Sequence, residues 1–404
     1  MSDHRFVVVG IGADGTAGLT DAVRAELASA TTIYGSARQL SGLTGTDADL
    51  VAWRSPMSEH LRRLLADPPV GRTHVLASGD PMFHGVGARI AAAAGPENVT
   101  VIPHVSSVSL AAARLGVDLS SARVVSLVTG PAEALAGVCS DGVELLILAR
   151  DGDSAGDVAQ TLTALGFGWS PMRVLSDLGA DDEQLTDAIL ARDWGVATTP
   201  ALSVISVSCV GPARSTAPGR DDDEYVNDGQ LTKKPIRALT VSMLRPAPRQ
   251  LLWDVGGGSG SIAIEWLQLA PGGRAIVFES DPNRRDVIAG NARRHGVGSR
   301  LTVAATAPEA LETAPDPDTV FIGGGLSDAG VVAACWAALL PGGICVANAV
   351  TVESESVLVD WQHRVGGSLL RLETSELAPL GAMRGWRPNR PIVQWVATKP
   401  GEPA

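Results

Sequence analysis

LLWDVGGGSGSIAIEW, residues 251–266, decides the fold class. Leu251, Leu252 and Trp253 open an apolar run that predicts a buried strand. Asp254 follows, and Gly256, Gly257, Gly258 and Gly260 make a tight turn. From Ser261 to Leu269 the pattern predicts a helix with Ile262, Trp266 and Leu269 near one face. Strand, glycine turn and helix in this order let an α/β domain bring bare backbone up to an adenosine-containing cofactor.

The spacing narrows the choice of cofactor. A dinucleotide site reads G-x-G-x-x-G, with the pyrophosphate on the helix N-terminus. Here Asp254, Gly256, Gly258 and Gly260 read D-x-G-x-G-x-G, which resembles the first motif of the S-adenosylmethionine (SAM)-dependent methyltransferases. A second strand, Arg274 to Phe278, is predicted to end in Glu279, about twenty residues on, where a carboxylate can accept both ribose hydroxyls.

Outward from this turn, strands and helices alternate. A helix opens at Thr232 with Ile236, Leu239 and Met243 near one face, and another opens at Asp281 and ends near His295. Further strands are expected at 301–304, 318–322 and 344–349, and Gln394 to Thr398 is expected to add a last edge strand. This alternation predicts a Rossmann-like domain over residues 229–404 with a parallel sheet.

Residues 1–213 form a second unit. Arg5 to Val9 is a strand, followed by Gly10, Gly12 and Gly15 in a literal G-x-G-x-x-G. No Asp or Glu lies between Ala28 and Leu40, and the helix starts only near Thr20, so the dinucleotide fingerprint is incomplete. A two-domain dehydrogenase using this loop stays as the alternative. Two more stretches follow in order: Ser78-Gly79-Asp80-Pro81 with Phe83 and His84 just beyond, and Pro103-His104-Val105-Ser106-Ser107 before an alanine-rich helix. Taken singly, Ser, Gly, Asp and Pro are ordinary turn residues. The three stretches together resemble the tetrapyrrole (precorrin) methylase family. That resemblance implies two α/β subdomains with SAM in the cleft between them. It carries cofactor contacts onto Gly10, Gly12, Ser78, Gly79, Asp80, Phe83, Ser106 and Ser107. His84 and His104 read as structural histidines beside the loops.

The C-terminal half resembles the SAM enzymes that act on carbon 15 of precorrins. The carrying residues are Gly229-Gln-Leu-Thr232-Lys233, the turn from Asp254 to Gly260, Ala307-Pro-Glu-Ala310 and Phe321-Ile-Gly323-Gly324-Gly325. The resemblance places a second SAM against Thr232, Asp254, Gly256, Gly258, Gly260, Glu279 and Ala307. The order of the two halves implies a bifunctional enzyme of cobalamin synthesis, converting precorrin-6B to precorrin-8X. It would methylate carbons 5 and 15 and release the ring-C acetate carboxyl as carbon dioxide. A macrocycle with many carboxylates calls for planar guanidinium forks, and Arg384, Arg387 and Arg390 with Trp386 for the ring face are the candidates. No residue presents itself as the general base. A non-catalytic SAM- or tetrapyrrole-binding protein is the remaining alternative.

Residues 214–228 lie between the units. Proline, glycine, serine and the acidic run Asp221 to Glu224, with almost no apolar content, predict a flexible, solvated linker. The net charge of −12 argues against a nucleic-acid partner, and no apolar run is long enough for a membrane span. Cys139, Cys209, Cys335 and Cys345 are far apart and suggest neither a metal site nor disulfides, so a cytoplasmic location is expected. Self-association is expected by family analogy alone.

Overall fold

The computed structural model describes residues 5–195 and 198–401. The chain divides into two compact units: one runs to Ala132 and resumes over Cys139–Ala213, the other comprises Glu133–Val138 and Arg214 onward.

The first unit holds two sheets. Strands β1 (Arg5–Ile11), β2 (Thr32–Gly35), β3 (Asp49–Ala52), β4 (Arg72–Ser78) and β5 (Val99–Ile102) form a parallel sheet in the order β3-β2-β4-β1-β5. Along β1, Phe6 and Val8 pack on one face while Val7, Val9 and Ile11 pack on the other. Both faces are covered, which is why the strand reads as an unbroken apolar run. The second sheet uses β6 (Arg123–Ser126), β7 (Glu144–Leu148), β8 (Pro171–Ser176), β9 (Gln184–Leu185), β10 (Ile189–Leu190) and β11 (Ser203–Ser208). Its order is β10-β8-β11-β7-β6, with β9 also on β8; only β6 and β7 run parallel.

The second unit is built on β12 (Leu251–Val255), β13 (Arg274–Phe278), β14 (Leu301–Ala304), β15 (Thr319–Ile322), β16 (Ile344–Ala349), β17 (Ser368–Leu372), β18 (Ser375–Leu380), β19 (Met383–Pro388) and β20 (Ile392–Thr398). The main sheet has the order β14-β13-β12-β15-β16-β20-β17, parallel as far as β16. Leu251, Trp253 and Val255 enter one core and Leu252 the other, so helices cover both faces. The last strand is not at the edge: β20 lies between β16 and β17, antiparallel to both, because β17 adds outside it. Helix Lys234–Met243 buries Ile236, Arg237, Thr240 and Val241 rather than Leu239 and Met243. Met243 is half-buried against the same core, and the fully buried Arg237 and Thr240 make that face partly polar.

The expected flexible linker is corrected outright. Tyr225 is buried, its hydroxyl donates to Glu265 at 3.1 Å, and the amides of Gly219 and Arg220 donate to the same carboxylate at 2.6 and 3.1 Å. Asp221 and Asp222 pair with Lys234, Lys233 and Arg237. Asp221 and Asp222 are thus paired with the start of the next helix and Glu224 with Arg220, while Asp221 and Asp223 keep their exposure to solvent. Polar composition mimics a tether here because the partners are charges and backbone amides, not apolar side chains.

Candidate functional site

In the first unit, β1 lies between β4 and β5, with Ile11 opposite Ser78 and Val9 opposite Ile102. The loops leaving these three strands thus emerge side by side at the carboxyl edge, where open α/β sheets bind ligands. They line one cavity of about 370 Å³. Gly12, Ser78, Gly79, Asp80, Phe83, Ser106 and Ser107 all lie on its wall, with Thr129, Ala149 and Leu202 from the second sheet's loops facing the same space. Gly10 does not line it. A β-carbon there would stand 2.4 Å from the Gly79 carbonyl oxygen and 2.7 Å from the His104 amide, so Gly10 lets the loops close on each other. After β1 comes a 3-10 turn, Gly15–Gly18, and the helix begins only at Asp21, capped by Thr20. The glycine loop therefore does not run directly into the helix that follows it, unlike the strand–turn–helix unit on which the dehydrogenase alternative rests. His84 lines the cavity; His104 does not.

Other lining residues escaped the sequence reading: Arg38, Gln39, Trp53, Met57 and Arg89. One signal was available. Ser36-Ala-Arg-Gln39 is a capping box, with the Ser36 hydroxyl accepting from the Gln39 amide and the Gln39 side chain accepting from the Ser36 amide.

In the second unit the same geometry recurs. Val255 at the end of β12 pairs with Phe278 on one side and Ile322 on the other. The glycine turn is therefore flanked by Glu279 and by Gly323–Gly325. Gly256 has φ +76°, and a β-carbon there would stand 2.5 Å from the Gly324 amide, so both the conformation and the crowding require glycine. Glu279 is buried and its carboxylate accepts from the Gly258 amide at 2.9 Å, the Asp281 amide at 3.0 Å and the Ser280 hydroxyl at 3.3 Å. A carboxylate has about four acceptor sites, so about one remains for a further donor rather than two. Above Gly258 the nearest obstacle is the Gln230 carbonyl oxygen, 3.5 Å from where a β-carbon would stand. Thr232 lies two residues beyond, its carbonyl held by Arg237 at 2.6 Å. Gly260 caps the helix Ser261–Leu269, and Ala307 precedes a cis bond to Pro308 just after β14, the strand beside β13.

Asp254 sits beneath the turn. One carboxylate oxygen accepts from the Ala263 amide at 3.2 Å and the other has no hydrogen-bond partner among the described residues. Burial, reinforced by the nearby Glu279 charge and opposed by that amide, pushes its pKa up to about 7. An orphaned acceptor and a bare glycine turn fit a ligand that brings hydrogen-bond donors and positive charge.

Arg384, Trp386 and Arg387 fall on a two-stranded sheet of their own, β18 with β19, and Arg390 just after it. Arg387 pairs with Glu376 at 3.7 Å, and Trp386 lies opposite Leu377, both exposed. These four residues share one hairpin region; no hydrogen bond among the described residues joins them to the glycine turn. Among the described residues there is no cluster of three or more metal-ligating side chains, and no helix is long and apolar enough to cross a membrane.

Residues 5–192 match the family described as Tetrapyrrole (Corrin/Porphyrin) Methylases, and residues 223–399 match the Precorrin methyltransferase domain. A Mycobacterium tuberculosis protein named Precorrin-6Y C(5,15)-methyltransferase [decarboxylating] is 42% identical over 98% of this chain and 100% of its own. A Sinorhizobium protein of the same name is 42% identical over 98% of this chain and 96% of its own. A Pyrobaculum aerophilum protein named Probable cobalt-precorrin-6B C(15)-methyltransferase (decarboxylating) is 34% identical over 37% of this chain and 79% of its own.

Proposed function

The chain belongs to the precorrin-6Y C(5,15)-methyltransferase (decarboxylating) family, and from that premise we propose a division of its chemistry between the two units. It is a SAM-dependent methyltransferase acting on a precorrin in cobalamin synthesis. The first unit methylates carbon 5; the second methylates carbon 15 and releases the ring-C acetate carboxyl as carbon dioxide. One SAM is used at each.

The observation that carries this reading is the pair of separate glycine-loop sites, each at the carboxyl edge of its own parallel sheet. SAM supplies an already activated methyl group, so the protein has no electrophile to create. Its task is proximity and orientation: to hold a nucleophilic ring carbon in line with the methyl. In the first unit the loops at Gly12, Gly79–Asp80 and Ser106–Ser107 would hold the cofactor against a wall from the second sheet. In the second, Glu279 and the amides of the glycine turn would hold it, with Asp254 ionising as positive charge arrives above it. Loss of carbon dioxide leaves an electron pair that the conjugated macrocycle can take. The protein's part is to keep the acetate away from water. Self-association belongs to this reading by analogy only, and sedimentation velocity tests it.

The test is mass spectrometry of the products from precorrin-6B with SAM. Gain of two methyl groups with loss of one carbon dioxide supports the assignment. A single methyl gain, or two without carbon dioxide loss, rejects it.

A further inference from the structure

Resting on that reading, one corner of the first unit's cavity, where Arg38 and Gln39 meet Ser78, points to a role for Ser78 other than the cofactor contact that the resemblance carries onto it. Gln39 is buried, and its side-chain oxygen accepts from the Ser36 amide at 2.8 Å, which turns its NH₂ toward Ser78. That NH₂ donates to Ser78 Oγ at 3.1 Å, and a guanidinium nitrogen of Arg38 donates to the same oxygen at 3.3 Å. A hydroxyl has two lone pairs and one proton. Both lone pairs of Ser78 are filled, so what it can still offer is its proton. Arg38 has five N–H donors, one of them spent on Ser78, and it has no carboxylate partner among the described residues. What Arg38 and Ser78 have left to offer here is therefore donors: guanidinium N–H groups and one hydroxyl proton.

A donor-only corner with a full positive charge takes an anionic acceptor, and a guanidinium beside a hydroxyl matches the two oxygens of a carboxylate. Trp53, whose amide donates to the Gly35 carbonyl at 2.9 Å just before the Arg38 helix, and Met57 line the same cavity and suit an apolar, flat body. Carboxylates could come from two sources, the amino-acid end of SAM or the periphery of the macrocycle. Arg38 is exposed and follows β2, with Trp53 and Met57 following β3 beside it, whereas the glycine loops follow β4, β1 and β5 on the other side of β2. We propose that Arg38 and Ser78 bind a peripheral carboxylate of the precorrin and so orient the macrocycle for methylation at carbon 5, with Gln39 acting as the positioning residue that fixes Ser78 as a donor.

The experiment uses the full chain with Arg38→Ala, Arg38→Lys and Ser78→Ala. Carbon-5 methylation of precorrin-6B is followed at saturating SAM and then at saturating precorrin. Arg38→Ala should raise KM for the precorrin about tenfold or more, with little change in kcat or in KM for SAM. Arg38→Lys keeps the charge but not the fork and should recover part of the loss. Ser78→Ala should move the same parameter. Methylation at carbon 15 by the same samples reports that the chain is folded and should be unchanged. An unchanged precorrin KM overturns the proposal, and so does a rise confined to KM for SAM, which would give the carboxylate to the cofactor. A wild-type chain that never methylates carbon 5 would instead strike the underlying reading.

Discussion

Arg237 and Glu265 meet 2.6 Å apart with side-chain exposures of 0% and 2%, and the rest of the C-terminal unit's entry segment is assembled on that pair. The guanidinium also donates to the Thr232 carbonyl at 2.6 Å, to Asp222 at 3.1 Å and to the Arg220 carbonyl. Glu265 collects the amides of Gly219 and Arg220 and the Tyr225 hydroxyl. Burial and the Glu265 charge together push the Tyr225 hydroxyl's pKa well above its usual value, so it stays a donor. Breaking such a pair from one side leaves a buried charge alone, which costs about 3–5 kcal/mol. Arg237→Met or Glu265→Leu should lower unfolding free energy by that order in denaturant titrations. The double variant should recover much of the loss; additive losses would refute coupling.

The same segment changes where the C-terminal unit can be cut. A fragment starting at Pro218 keeps Gly219, Arg220 and Tyr225 on Glu265; one starting at Gly229 loses those three donors and leaves Arg237 on that carboxylate. The longer fragment should fold and bind one SAM, while the shorter should unfold at clearly lower denaturant. Equal midpoints would show that the docked segment contributes nothing.

Glu279→Ala removes a carboxylate that both braces the Gly258 amide and has an acceptor site left for the cofactor. SAM affinity at the C-terminal site should fall by about 1.5–3 kcal/mol, roughly tenfold to a hundredfold. Calorimetry on the full chain should show one of two SAM sites weakened. Two unaltered sites would reject the assignment.

Asp80 lines the N-terminal cavity and its carboxylate caps the Met82 amide at 2.8 Å. Asp80→Ala should reduce methylation at carbon 5 by tenfold or more on the loss of a charge-assisted contact, about 1.5–3 kcal/mol. Carbon-15 methylation should be spared. A folded variant that loses both methylations would contradict separate sites.

Asp254 gives a pH signature. Its pKa rises from 3.8 to about 7 on folding, so the folded state holds a proton that the unfolded chain has released. Its contribution to stability is full below about 3.8 and is lost as pH climbs through about 7. His295 acts in the opposite sense: burial, then the Arg220 charge, lowers it from 6.5 to about 4, so its contribution is present above 6.5 and lost as pH falls through about 4. The two slopes oppose each other where they overlap. Asp254→Asn should therefore gain stability at pH 8 relative to wild type, on the order of a few kcal/mol, with little gain at pH 4. Equal denaturation midpoints for the two proteins at pH 8 would exclude the raised pKa of Asp254.

What the sequence by itself determined was local. Short apolar runs gave the bounds of β13, β14 and β16 and the start of β12, because strands that pack against helices must present apolar side chains. The motif D-x-G-x-G-x-G and the turns at Ser78 and Ser106 were legible because close backbone approach demands particular small residues. Tertiary structure alone decided what depends on distant partners. Residues 214–228 look like a tether until Arg237 and Glu265 are placed beneath them, since charge pairing across forty residues leaves no periodic trace. Gly10 looks like a cofactor contact until the Gly79 loop is folded onto it. Arg38 looks like a surface arginine until β2 and β4 bring it to Ser78, forty positions away, because only the parallel pairing of those strands puts the two loops at one edge.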